Sequence, residues 1–138
     1  MGQIYADIEI INGGDLEMVH RGHLDPDEIK RMNVRILVDT GSLMLCINEH
    51  LQEYFQLKIN GKKPFQLANG ELVICDIVGP IKLIFKNRDT TCDAIILPGD
   101  SEPLLGLIPM EAMDVLISPT RHELVVNPAH PEGALLRL

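Results

Sequence analysis

Asp39-Thr40-Gly41-Ser42 is the stretch of this chain whose residue types and spacing best suit chemistry. It lies directly behind the apolar run Val34-Arg35-Ile36-Leu37-Val38, which reads as a buried strand. The tetrapeptide must therefore turn the chain and present a carboxylate at the strand's end. A carboxylate is a poor core residue, and a glycine two positions on lets other backbone approach it closely. That combination suits a catalytic group. The motif occurs once in 138 residues. Competing groups are few. His20 and His23 form a His-x-x-His pair near Asp25 and Asp27. With no third ligand at a known spacing they read as a solvated loop, and no metal or other cofactor is expected. His50, His122 and His130 are scattered, and neither a Ser-His-Asp arrangement nor a Gly-rich phosphate loop is present.

The elements that must position this motif are short. Tyr5 to Ile11 reads as a first strand that ends at Asn12-Gly13-Gly14. A polar stretch from Asp15 to Asn33 follows, in which Asp25 to Arg31 predicts a short helix, capped by Asp25 with Pro26 as its first residue. After the motif, Leu43 to Ile47 predicts a strand. Asn48 then caps a helix whose Leu51, Tyr54 and Phe55 share one face. Phe65 to Cys75 is broken by Asn69-Gly70, a strong hairpin signal. Ile81 to Phe85 alternates, Lys86-Asn87-Arg88-Asp89 reads as a turn, and Cys92 to Leu97 as another strand. Leu104-Leu105-Gly106 follows a loop, Pro109 starts a helix carrying Met110 and Met113, and Val115–Ile117 with Glu123–Val126 predicts a last hairpin. No linker divides residues 1–138, which read as a single domain.

Composition bounds the partners. Apolar residues make up 46% of the chain and charged residues 23%, an ordinary balance for a folded soluble domain. A net charge of -8 without a Lys/Arg cluster speaks against a nucleic-acid surface. No apolar run approaches the roughly 18–20 residues that span a bilayer, and Met1 to Asp7 lacks the pattern of a signal peptide. No membrane partner is expected. Three cysteines at scattered spacing (Cys46, Cys75, Cys92) read as small core residues in a reducing, cytoplasmic setting.

This order of elements resembles the retropepsin-like aspartic proteases, especially their single-domain prokaryotic members. The resemblance runs from Tyr5 to about Val126. It rests on the apolar strand with Asp39-Thr40-Gly41-Ser42, the hairpin Ala68-Asn69-Gly70-Glu71, and Leu104-Leu105-Gly106 before a short helix. It implies an all-β, β-rich fold with short helices, a closed barrel forming one lobe per chain. It also implies a homodimer in which each subunit contributes one Asp39 to a shared site acting on a peptide or protein substrate. Two carboxylates at close range hold one proton between them. The charged member takes a proton from water as it attacks the peptide carbonyl, and the protonated one donates to the developing oxyanion. Thr40 would hydrogen-bond across the dimer axis, Gly41 would bring its amide to the carboxylate, and Ser42 would donate to an outer carboxylate oxygen. The strand carrying Leu105 and Gly106 would pass behind the Asp39 loop.

Two positions stay open between readings. The hairpin at Ala68, Asn69 and Gly70 either folds over a substrate as a flap or merely reverses the chain. Leu104 either lines a side-chain pocket or packs in the core. Two departures from the retroviral pattern also stand out. Charged residues that support the dimer there are replaced by Leu43-Met44-Leu45 and Leu107-Ile108, which suggests packing in place of an ion pair. The segment 13–33 is longer than a minimal domain needs and reads as surface decoration. The tail 127–138 carries Leu135, Leu136 and Leu138, which are expected to pack against a partner. Its removal after Val126 is then expected to weaken the dimer without unfolding the monomer. Two other functions compete with the endopeptidase. One is a catalytically inactive protease-fold binding or assembly module, which has no need of the full Asp39-Thr40-Gly41-Ser42 set. The other is a phosphotransferase fragment, for which 138 residues are too few to supply two subdomains.

Overall fold

A computed structural model describes residues 2–138. The chain is β-rich, with a large mixed sheet and short helices. In order, it forms β1 (Tyr5–Asn12), α1 (Gly13–His20), a single 3₁₀ turn (Pro26–Glu28), β2 (Arg31–Val38), β3 (Leu45–Asn48) and α2 (Glu49–Phe55). Then come β4 (Ile59–Gln66), β5 (Leu72–Phe85), β6 (Arg88–Leu97), β7 (Leu104–Leu105), α3 (Leu107–Met113), β8 (Val115–Ser118) and β9 (Glu123–Val126). Strands β1 to β7 hydrogen-bond in the order β1-β2-β7-β3-β6-β5-β4, with β2–β7 and β3–β6 parallel. β1 also pairs with β5, so the ladder returns on itself and leaves β4 hanging from β5 as a projecting hairpin strand. No helix among the described residues is long and apolar enough to cross a membrane.

Alternation does the folding. In β1, Ala6, Ile8 and Ile10 point inward while Asp7 stays in water and Glu9 is half-buried. Ile8, Ile36, Ile47, Leu83 and Leu105 are fully enclosed, each stabilising the fold by about 1.5–3 kcal/mol relative to an exposed side chain. Cys92 packs against this core, and burial pushes its thiol up to about 12. The alternating run Ile81 to Phe85 is the second half of one long strand beginning at Leu72. The turn after it is tighter than the predicted Lys86-Asn87-Arg88-Asp89: Lys86 takes a positive φ of 53°, and β6 already begins at Arg88.

The segment 13–33 departs most from expectation. Asn12-Gly13-Gly14 ends β1, as expected, but it also starts α1: the Asn12 side chain accepts from the Asp15 amide at 3.1 Å. Its own amide reaches across to the Phe55 carbonyl at 2.9 Å. A side chain on Gly13 would meet the Pro80 carbonyl oxygen at 2.9 Å, so the helix can start there only with glycine. The predicted helix over Asp25 to Arg31 shrinks to the 3₁₀ turn. Lys30 is drawn into extended structure, its amide donating to Asp15 and its carbonyl accepting from the Asn12 amide. Asn48 caps α2 in the same way that Asn12 caps α1, accepting from the Leu51 amide at 2.8 Å.

Residues 127 to 135 of the tail are tied to their own chain, while the side chains of Leu135, Leu136 and Leu138 remain exposed. Arg88 has a fully enclosed side chain. It donates to the His130 carbonyl at 2.6 Å and to the Asp114 carbonyl at 3.2 Å. The Asp114 carboxylate accepts from the Asn127 side chain at 3.0 Å and the Leu135 amide at 3.1 Å, and pairs with His130 Nδ1 at 2.7 Å. The Asn127 and Leu135 donors lead in holding the Asp114 carboxyl down at about 2, against an ordinary 3.8. A depressed carboxyl contributes stability above its ordinary pKa and loses it as the pH falls through the folded value. The latch therefore holds above about pH 4 and fails only towards pH 2. Truncation after Val126 is expected to lower stability by about 3 kcal/mol, since it strips the His130 carbonyl from the enclosed Arg88 guanidinium. Urea unfolding checks this, and equal midpoints for both chains would show that the tail is no part of the fold.

Candidate active site

The Asp39 loop is built by three strands meeting at one end of the sheet. β2 runs up to Val38 and the loop from Asp39 to Met44 crosses to β3. β7 is inserted between the two: Leu37 pairs with Leu104 on one side and Cys46 with Leu104 on the other. The Asp39 amide donates to the Leu105 carbonyl at 3.0 Å. The stretch from Leu104 to Gly106 thus runs behind the loop. A side chain on Gly106 would collide with the backbone of Met44, Ser42 and Leu43, the Ser42 carbonyl oxygen lying 2.7 Å from its position. α3 starts against the same loop. It has no side-chain cap at Gly106; instead the Leu107 amide donates to the Ser42 carbonyl at 2.8 Å and the Ile108 amide to the Leu43 carbonyl at 3.0 Å. Helix and loop satisfy one another's backbone groups.

Within the loop, the Gly41 amide donates to Asp39 Oδ1 at 2.9 Å, the contact expected of a glycine at that position. Asp39 is half-buried, and Thr40 is exposed at the loop's tip. Ser42 differs from expectation. Its hydroxyl donates to the Met44 carbonyl at 3.0 Å and lies 3.6 Å from Cys46 Sγ, because the tight turn brings that carbonyl closer than the carboxylate.

Asp39, Gly41, Ser42 and Leu104 open onto a cavity of about 370 Å³. The hairpin of β4 and β5 forms its other wall, through Phe65, Leu67, Ala68 and Val73. Leu67 and Glu71 close the turn with a 2.8 Å bond, and Gly70 takes a φ of 86° that favours glycine. Asn69 shapes the turn by accepting from the Glu71 amide at 2.8 Å. Of the three hairpin residues singled out in the sequence, Ala68 lines the cavity; Asn69 and Gly70 form the turn beyond it. Leu104 lines the cavity half-buried, whereas Leu105 is fully enclosed in the core. His20 and His23 sit exposed at the end of α1 and in the turn after it.

Sequence reasoning missed Phe65, Val73, Cys46, Cys75 and Ile95 as cavity residues. The signal for the first two was present: Phe65 pairs with Val73, and strand alternation places Val73 and Cys75 on one face of the hairpin. Cys46 and Cys75 are core-like in burial but face this cavity. Burial pushes both thiols up, with the Asp39 charge adding a smaller rise at Cys46. They therefore stay protonated and are poor nucleophiles. Among the described residues, Asp39 is the one carboxylate on the cavity wall. A second groove of about 450 Å³ is lined by Glu49, Lys62 and Asp76, but its charges are already engaged. Lys62 pairs with Asp76 at 3.3 Å and Glu49 accepts the Gly99 amide. Comparison with protein-family models and with curated proteins finds no match to this chain.

Proposed function

We propose that the chain is a retropepsin-like aspartic endopeptidase, a closed barrel that hydrolyses peptide bonds between two Asp39 carboxylates of a homodimer. One observation carries this reading: a single half-buried carboxylate at a strand end, its Oδ1 held by the Gly41 amide, faces an apolar cavity beneath a hairpin. Splitting an amide with water needs both a base and an acid in place. Among the described residues the cavity offers one carboxylate, no histidine and no lysine. A second chain related by two-fold symmetry would supply the missing acid. Support for that surface comes from Leu43 in the Asp39 loop and Ile108 at the start of α3, which are 61% and 48% exposed and joined through the Ile108 amide to Leu43 carbonyl bond. Thr40, exposed at the loop's tip, would reach its counterpart across the axis. The hairpin would serve as a flap, excluding water and engaging substrate backbone. The same lone carboxylate also suits an inactive binding or assembly module, and one experiment separates the two.

Cleavage of a peptide library is measured across a dilution series alongside light scattering. A specific dimer buries about 1,600 Å² in total, and specific activity should fall as the dimer dissociates. Activity strictly proportional to concentration with a monomeric mass throughout would overturn the shared site. No cleavage by a verified dimer would favour the binding module.

Ser42 gives a second test. Since its hydroxyl is engaged by Met44, Ser42→Ala should leave the acid limb of the pH-rate profile in place and cost about 1 kcal/mol of stability. An upward shift of the limb would show that the hydroxyl serves the carboxylate pair instead.

A further inference from the structure

We infer that the tail latch at Asp114 positions the Asp39 loop, acting through α3, with His130 and Arg88 as positioning residues. The inference rests on the proposed proteolytic reading of the site. α3 spans only Leu107–Met113, about 10 Å of helix. Its first amides are bonded to the Ser42 and Leu43 carbonyls, so its N-terminal end and the Asp39 loop move as one piece. Its C-terminal end stops at Asp114, which adopts a left-handed conformation (φ 56°) and turns its carboxylate towards the tail.

There the carboxylate gathers three donors from separate points of the tail: the Asn127 side chain, His130 Nδ1 and the Leu135 amide. The tail is itself pinned by the enclosed Arg88 on the His130 carbonyl and by the Asn87 side chain on the Pro131 carbonyl at 2.9 Å. Arg88 also lies 3.9 Å from the Asp114 carboxylate. Met110 and Met113 fix the inner face of α3 in the core, which sets its depth. Apolar packing is non-directional and does not set rotation or axial slide. Hydrogen bonds are directional, and those at the two ends supply that constraint. A tail that only covered surface would not need a buried guanidinium and a carboxylate with three donors at the end of this helix. Misplacement by about 1 Å at a catalytic group can cost on the order of 100-fold in rate, so a small rotation of α3 would register at Asp39.

His130 is the residue to change, because its side chain is 28% exposed and its loss leaves no cavity in the core. In the full-length chain, His130→Ala should lower kcat about 10-fold with KM within twofold. It should also shift the backbone amide resonances of Gly41, Leu107 and Ile108. His130→Asn, which keeps a donor near the position of Nδ1, should restore both. A His130→Ala protein that melts lower but keeps its kcat and these three resonances would overturn the inference and leave the latch a purely structural strap. If the unsubstituted chain cleaves no peptide, the proteolytic reading fails by itself. The resonances then decide the coupling alone: a shift reversed by His130→Asn supports it, and no shift overturns it.

Discussion

Under the proposed function, Asp39→Asn is expected to abolish peptide cleavage and to leave the fold standing. The substitution is isosteric, and the asparagine side-chain oxygen can still accept the Gly41 amide that Asp39 Oδ1 accepts at 2.9 Å. The loop keeps its shape. What disappears is the capacity to share a proton. In the proposed dimer one substitution removes both carboxylates, and with them the base that activates water and the acid that protonates the oxyanion. General acid–base catalysis contributes about 10²–10⁴-fold per group, so the loss should reach roughly 10⁴-fold or more. The dimer should be at least as stable as before, because no charge is left to repel its copy at the axis. Steady-state cleavage assays with thermal melts on both proteins check this, and a transition-state mimic should bind the unsubstituted chain alone. Near-normal cleavage by the Asp39→Asn protein would end the aspartic-protease reading. A variant that unfolds would instead show that Asp39 serves the fold.

The features on which this expectation rests were unequally visible in the sequence. The motif strand, the hairpin and α2 were legible because each carries its own local signal: an apolar run ahead of Asp39, the turn pair Asn69-Gly70, and Asn48 placed to cap a face of Leu51, Tyr54 and Phe55. Those signals act over a few residues, and the structure resolves them in the same few residues. α1 was not legible. Asn12-Gly13-Gly14 signals the end of a strand, but a helix starting in the same residues goes with a contact 43 positions away, the Asn12 side-chain amide donating to the Phe55 carbonyl. Ser42 shows the same limit on a smaller scale, since its hydroxyl is claimed by the nearer Met44 carbonyl. The tie between the tail and its own chain was not legible for a third reason. An arginine in a polar run such as Lys86-Asn87-Arg88-Asp89 looks solvated, and only the folded chain shows it enclosed beneath residues 127 to 131.

Gly106→Ala should damage both stability and the site, and for a reason unlike most glycine substitutions. Its φ of -88° is open to any residue, so backbone strain plays no part. Space decides. An added Cβ would lie 2.7 Å from the Ser42 carbonyl oxygen and 2.8 Å from the Leu43 carbonyl carbon, with the Met44 carbonyl also in the way. These are backbone atoms and cannot swing aside as a side-chain end can. Relief requires the Asp39 loop to lift from β7, which breaks the amide bonds from Leu107 and Ile108 to that loop. Overpacking costs about 1–3 kcal/mol, and two hydrogen bonds at about 0.5–1.5 kcal/mol each add to it. A total of about 2–6 kcal/mol is a large share of the roughly 5–15 kcal/mol that holds a domain together. Gly133→Ala is the control, since nothing lies within 4 Å of an added Cβ there. Urea unfolding of the two variants should differ by most of that amount. Cleavage by Gly106→Ala should fall further than its folded fraction explains, because the surviving folded molecules carry a displaced Asp39. Equal midpoints for the two variants would mean that the loop does not rest on β7, and the geometry assigned to Asp39 would go with it.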